Sequence, residues 1–288
     1  MELTRFASFW HGAPLGFMER LCLKSFADHG HPIRLYTYDP ELDVPDGVEL
    51  ADASTILPET ALHASRSNKG MAPFSDRFRV NMMAETGETW TDCDVVCLAP
   101  SAPTEWAFAR PGRVVAIGVL AFPAHSETLR LWRDFVNSDT VTIPADWGWK
   151  HHLSEALRTA SLPDGSIPVP PELRADLPYE FFGPRAAHYF LHRTGEIVHA
   201  LPPETYYAVH PMTLRGNYFF PRRSPIGDLS GVALLHGVGG TIFRKKFKRI
   251  GGVIGPHPAS LIGKLCAKHG IETPEYTREL PLQAIAAE

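Results

Sequence analysis

A chain of 288 residues with 44% hydrophobic and 21% charged side chains carries enough apolar material for a large core, built as one elaborated domain or two small ones. Its formal net charge of −4 argues against a general nucleic-acid binder, whose affinity would rest on neutralising phosphates along a basic face. The four cysteines, Cys22, Cys93, Cys97 and Cys266, lack C-x-x-C spacing and read as buried or free thiols rather than a disulfide frame or zinc site.

The chain enters a strand almost at once, with no basic leader, and no apolar run approaches the length of a membrane span. The expectation is a cytoplasmic protein, with peripheral membrane contact left open. Leu3 to Trp10 reads as a strand, and Pro14 to His29 as a helix with Leu15, Met18, Leu21, Cys22 and Phe26 on its apolar side and Gly30 after it. Ile33 to Tyr38 is the next strand. Residues 40 to 72 form an irregular connection with a short strand near Val48 to Leu50, ending in a loop at Ser65 to Gly70. A helix is predicted over 73 to 86: Pro73 suits a first turn, Phe74, Phe78 and Met82 recur at helical spacing, and Gly87 supplies a stop. On another face of it Asp76 and Arg79, three residues apart, are neighbours.

Trp90-Thr91-Asp92-Cys93-Asp94 follows, running straight into the apolar strand Val95 to Leu98. Two carboxylates one residue apart at a strand end suit a hard divalent cation, Mn²⁺ or Mg²⁺, with coordination positions left for the phosphate oxygens of a nucleotide. A strand at Val114 to Val119 and a helix at Glu127 to Asn137 continue an alternation that predicts an α/β sheet covered by helices, with ligands at the strand ends. From 138 to 178 the pattern loosens around Trp147-Gly148-Trp149-Lys150-His151-His152. The two tryptophans fit either a stacking platform for an acceptor sugar or core anchors, and the His pair fits a surface helix start. Ala233 to Gly237 is an apolar strand ending in His236, a candidate third metal ligand, with Gly237, Gly239 and Gly240 leaving backbone N–H groups open to phosphate. The run Arg244 to Arg249 suits a diphosphate, an anionic acceptor, an acidic membrane surface or plain solvation. A short helix over 259 to 269 and a weakly ordered tail over 273 to 288 complete the reading.

The segment Phe74-Ser75-Asp76-Arg77-Phe78-Arg79, then Met82 to Gly87, then Trp90 to Val95, resembles the S-D-x-x-R…G-G-x-Y-x-D-x-D block of DXD-containing sugar transferases. These include capsular-polysaccharide and lipopolysaccharide transferases, α-1,4-glycosyltransferases and clostridial glucosylating toxins. Phe6 to Gly12 is similar to their first strand, Phe182-Gly183-Pro184 to their G-P turn, Leu201 to Tyr207 to a late P-x-x-F-Y-P strand, and Ala233 to Gly237 to the strand whose His closes the metal site. Glu88, Thr91 and Gly118 depart from the pattern, the last standing where many relatives carry an Asn near the donor sugar.

The resemblance implies a GT-A-like fold, a single Rossmann-type mixed sheet flanked by helices, over residues 1–250. It divides that domain into a donor half (1–120) and an acceptor half (121–250), followed by a C-terminal helix and tail (251–288). It implies a retaining transfer from a nucleotide sugar, with uridine diphosphate the nucleotide, to a glycan or other hydroxyl acceptor. Asp94, Asp92 and His236 would hold the metal, Arg79 and Asp76 the donor sugar, ribose or phosphate, Phe9 and Trp10 the base, and Trp147 and Trp149 the acceptor. Two rivals stand beside it. Asp92 to Val96 also fits the D-x-D-x-[TV] loop of aspartate-nucleophile phosphatases, though that motif usually opens the chain. A nucleotide-sugar binder without turnover is the other.

Overall fold

The computed structural model describes residues 2–62, 71–102, 104–208, 229–236 and 255–275. Six strands form one mixed sheet: β1 (Phe6–Phe9), β2 (Ile33–Thr37), β3 (Val48–Asp52), β4 (Thr89–Thr91), β6 (Ala107–Ala109) and β7 (Ala116–Ala121), in the order β3-β2-β1-β4-β7-β6. The first four in that order run parallel, and β7 and β6 join antiparallel. Both faces of the parallel part are covered, so every residue of β1 is buried. This is the α/β sheet covered by helices that the alternation predicts, with the mixed strand directions that the resemblance implies.

Alternate residues along the strands feed two cores. Ala7, Phe9, Tyr36, Trp90, Phe108 and Leu120 pack with α2 (Ala72–Thr86), α3 (Glu127–Asn137) and α5 (Ala186–Thr194), whereas Phe6, Leu35, Ala107 and Val119 pack with α1 (Phe17–Asp28). Two short antiparallel pairs complete the described strands: β5 (Val95–Cys97) with β10 (Leu234–His236), and β8 (Val141–Ile143) with β9 (Ile167–Val169). Helix α4 (Glu155–Thr159) lies between β8 and β9, and α7 (Leu261–Lys268) packs near α1 through Ile262, Leu265 and Cys266 against Leu21 and Cys22. Among the described residues no helix is long and apolar enough to cross a membrane.

The local signals behind α2 work as expected. Pro73 occupies the first turn, where its missing N–H costs nothing, and Gly87 closes the helix at φ +67°. The expected strand over 201 to 207 is a correction: only Leu201 bridges, to Ala109, and Glu204–Tyr207 form a short helix, α6. Pro202 and Pro203 explain it, since neither can donate to a ladder while both suit a helix start. The loosened stretch after 138 contains β8, α4 and β9, which the sequence reading did not resolve. The loop Ser65 to Gly70, the glycines 237, 239 and 240, the basic run Arg244 to Arg249 and the tail beyond 275 lie outside the described residues.

Helix α3 is capped twice. Ser126 accepts from Leu129 N, and the Glu196 carboxylate accepts from Ser126 Oγ (2.7 Å), Glu127 N (2.9 Å) and Thr128 N (3.0 Å). Burial opposes its charge, but these hydrogen bonds outweigh it and hold Glu196 below the usual glutamate range. Its contribution is therefore present above the unfolded pKa and fades as pH falls through the folded one. Glu196→Ala is expected to lower stability by about 1–2 kcal/mol at pH 7 and by less at pH 3, measured by urea unfolding at both.

Candidate metal and donor site

The site lies at the carboxyl ends of β1 and β4, where the chain order reverses from β2 on one side of β1 to β4 on the other; open α/β sheets bind ligands at such points. Asp92 leaves the end of β4, its N–H bonded to Gly118 O at 2.8 Å, and the turn through Cys93 to Asp94 closes with Val95 N donating to Asp92 O at 3.2 Å. That turn sends β5 out of the sheet, and β10 adds to it with His236 opposite Val95. The register alone therefore delivers the imidazole beside Asp94.

His236 Nε2 lies 3.1 Å from Asp94 Oδ1 and 3.8 Å from Asp92 Oδ2. One ligand atom from each of Asp92, Asp94 and His236 falls within 4.8 Å of the other two. Burial alone would strip the imidazole of its proton, but the Asp94 and Asp92 carboxylates outweigh it and raise His236 to about 10. Asp94 Oδ1 is buried without a hydrogen bond of proper geometry among the described residues, and His236 Nδ1 is likewise orphaned. Two carboxylates and an imidazole, with a buried carboxylate oxygen left unsatisfied, fit a divalent cation such as Mn²⁺ or Mg²⁺.

The second half of the site comes from α2. Arg79 is 5% exposed and Asp76 4%, so both charges sit away from water and must be matched. Arg79 Nη2 lies 3.1 Å from Asp76 Oδ1, and Nη1 lies 3.2 Å from Asp92 Oδ1 and donates to Ile117 O at 2.7 Å. The guanidinium carbon stands 4.7 Å from the Trp90 ring centroid, and Trp90 Nε1 donates to Asp92 Oδ1 at 2.7 Å. Two carboxylates thus share one guanidinium. Burial and the nearby Asp92 charge push Asp76 up to about 7 against the pull of Arg79, whereas Asp92, bonded also to His236 and Trp90, sits at about 2 despite its burial.

Two glycines make these contacts possible. A Cβ at Gly118 would lie 2.3 Å from His236 Nε2, and one at Gly183 would lie 2.4 Å from Asp76 Oδ2. The departure at Gly118 noted in the sequence is thus where the imidazole is seated. Tyr207 stands edge-on to His236 at 5.0 Å, and burial followed by the Asp92 and Asp94 charges raises its phenol far above the usual tyrosine value. Tyr179, 36% exposed, feels Asp76, Arg79, Asp92 and Asp94 as well. Tyr207 belongs to the stretch that resembles the late P-x-x-F-Y-P strand, but Tyr179 carries no motif signal, and tertiary packing brings it here.

The other expected site residues are placed differently. Trp10, half-buried at the end of β1, is fixed by Nε1 donating to Ala13 O at 2.7 Å. Phe9 is 7% exposed and stacks on Phe78 at 4.4 Å, which makes it a core residue under the site. Trp147 is also core. At 2% exposure it packs against Phe135, Phe181 and Tyr189 at centroid distances of 5.9, 5.1 and 5.0 Å, leaving no face for a sugar ring. Trp149 is half-buried and borders a separate cavity of about 550 Å³ against α5. There burial, with His192 and Arg110 close by, lowers His188 to about 4. Two roomier cavities, of about 680 and 690 Å³, border Thr4 and Thr89 and contain none of the acidic site's residues.

No protein-family model matches the chain, and a search of the curated proteins finds no match. Among solved structures it is similar to the PaToxG glycosyltransferase, with 10% identity, a TM-score of 0.41, and 68% of this chain and 72% of that one covered. It is also similar to the apo-form glycosyltransferase GlyE of Streptococcus pneumoniae TIGR4, with 11% identity and a TM-score of 0.39, covering 95% of this chain and 66% of that one.

Proposed function

We propose that the protein is a metal-dependent glycosyltransferase that moves a sugar from a nucleotide diphosphate donor, with uridine as the nucleoside, to a hydroxyl acceptor such as a glycan, with retention at the anomeric carbon. The observation that carries this reading is the convergence of Asp92, Asp94 and His236 at the carboxyl end of β4, beside the buried Arg79 and Asp76. A divalent ion held there supplies fixed positive charge where a departing diphosphate gains negative charge.

The chain's own groups do the rest. In this reading Arg79, held by Asp76, Asp92 and Ile117 O, is the cation that meets a donor phosphate or sugar oxygen. In the same reading Asp76 takes donor hydroxyls and Trp10 stacks on the base. Residues 1–120 supply the donor half in this reading. The acceptor side then rests on Trp149 or on Tyr179 rather than on Trp147. A phosphatase mechanism needs a free Asp92 oxygen to attack phosphorus, whereas Oδ1 is taken by Trp90 and Arg79 and Oδ2 faces His236.

The test is thermal unfolding with a panel of nucleotide sugars, with and without Mn²⁺. A ligand selective for the folded state at one hundred times its Kd adds about 2.7 kcal/mol, a rise of several degrees in Tm. One nucleotide sugar should shift Tm only when Mn²⁺ is present, and Asp94→Asn should abolish the shift. Equal responses with and without the ion would defeat the metal-dependent reading. Phosphate release from simple monoesters would favour the phosphatase.

A further inference from the structure

The cavity beside Trp149 has a chemistry of its own. His188 and His192 stand one turn apart on α5, so their rings share a face, with centroids 4.3 Å apart and planes at 62°. Both border the cavity, together with Asp146, Trp149 and Arg193. His188 Nδ1 is buried and has no hydrogen-bond partner among the described residues. The Trp149 ring meets His188 edge-on at 5.4 Å. Two of the charges around them are matched, since Tyr189 donates to Asp146 Oδ1 at 2.8 Å and accepts from Arg193 at 2.9 Å, and Arg110 also lies near His188.

We propose that His188 and His192 form a second metal site, an imidazole pair for a borderline transition ion such as Zn²⁺, Cu²⁺ or Ni²⁺, separate from the carboxylate centre at Asp92 and Asp94. Two imidazoles bound at ~2.0–2.1 Å in adjacent positions of one ion hold their ring centroids roughly 4.5–5 Å apart. The observed spacing is within a small rotamer adjustment of that arrangement. The half-buried His188 keeps its Nδ1 unpartnered among the described residues, and the cavity leaves room for water in the remaining positions. Ligand type divides the two sites: imidazole nitrogens favour the late transition metals, while the oxygen-rich centre suits Mg²⁺ and Mn²⁺.

The full-length, chelator-stripped protein is titrated with ZnCl₂ by calorimetry, and with CuCl₂ while tryptophan fluorescence is followed. His188→Gln/His192→Gln is expected to weaken Zn²⁺ binding at least tenfold and to remove the Cu²⁺ quenching of the adjacent Trp149, with Mn²⁺ affinity unchanged. Asp94→Asn is expected to weaken Mn²⁺ binding and to leave the Cu²⁺ quenching of Trp149 in place. His192 is exposed, so His192→Gln alone keeps the test valid if replacing the half-buried His188 upsets folding. Zn²⁺ isotherms of His192→Gln and the double variant that superimpose on the wild type would overturn the proposal. So would Zn²⁺ binding that disappears in Asp94→Asn and persists without the two histidines.

Discussion

Arg79→Met is expected to lower the free energy of unfolding by about 3–5 kcal/mol, seen as a fall in the urea midpoint with little change in slope. The size follows from what is left behind. Asp76 and Asp92 share the one guanidinium, and Asp76 is 4% exposed, so its loss strands one buried carboxylate and weakens another. The Trp90 ring loses its cation at the same time. Asp76→Asn placed on top of Arg79→Met should recover part of the loss, because a neutral amide costs less to bury than an unmatched charge. Arg79→Lys should fall in between, keeping the charge without the planar fork that reaches two carboxylates and a carbonyl. A loss below about 1 kcal/mol for Arg79→Met would mean the cluster behaves like an exposed ion pair and would refute this account.

Gly118→Ala is the second large effect. Its new Cβ would sit 2.3 Å from His236 Nε2 and 2.5 Å from Cε1, closer than any real contact, so either the ring or β7 must shift. Mn²⁺ affinity should drop on the order of 10–100-fold, the usual range when a group that orients a ligand is disturbed, as read from the free-ion signal in electron paramagnetic resonance. Overpacking should also cost about 1–3 kcal/mol of stability. The stability penalty should largely vanish in a His236→Ala background, since the atom struck is gone; equal penalties in the two backgrounds would show that the clash lies elsewhere.

The parts of the fold and site that could be read from the sequence are those set by neighbours along the chain. Pro73, the Phe74 and Phe78 spacing and Gly87 mark α2, and the i, i+3 step puts Asp76 beside Arg79 without any tertiary contact. The D-x-D pair at a strand end was similarly local. What joins Asp94 to His236 is the antiparallel register of two three-residue strands from distant parts of the chain, and no periodicity encodes that pairing. Trp147 shows another limit: an indole has the same hydropathy on a platform as in a core, and only the packing of Phe135, Phe181 and Tyr189 around it decides. At Leu201 to Tyr207 the likeness points to a strand while Pro202 and Pro203 remove two ladder donors, and the prolines prevail. Glu88, an outlier in the motif, is explained by a partner the sequence does not mark: Arg34 Nη1, on β2, donates to its Oε1 at 2.7 Å across β1, which lies between β2 and β4.

The pairing of β10 with β5 has a consequence for how the molecule comes together. The sheet, the D-x-D turn and the Asp76–Arg79 pair all lie within residues 6–121, yet the last ligand arrives from a strand near residue 235. Contacts this remote in sequence close late, because the entropy of the intervening loop opposes them. An ion gripped by all three side chains would therefore act as a clasp that engages only after the distal strand has docked, and its retention would report that folding has run to the end.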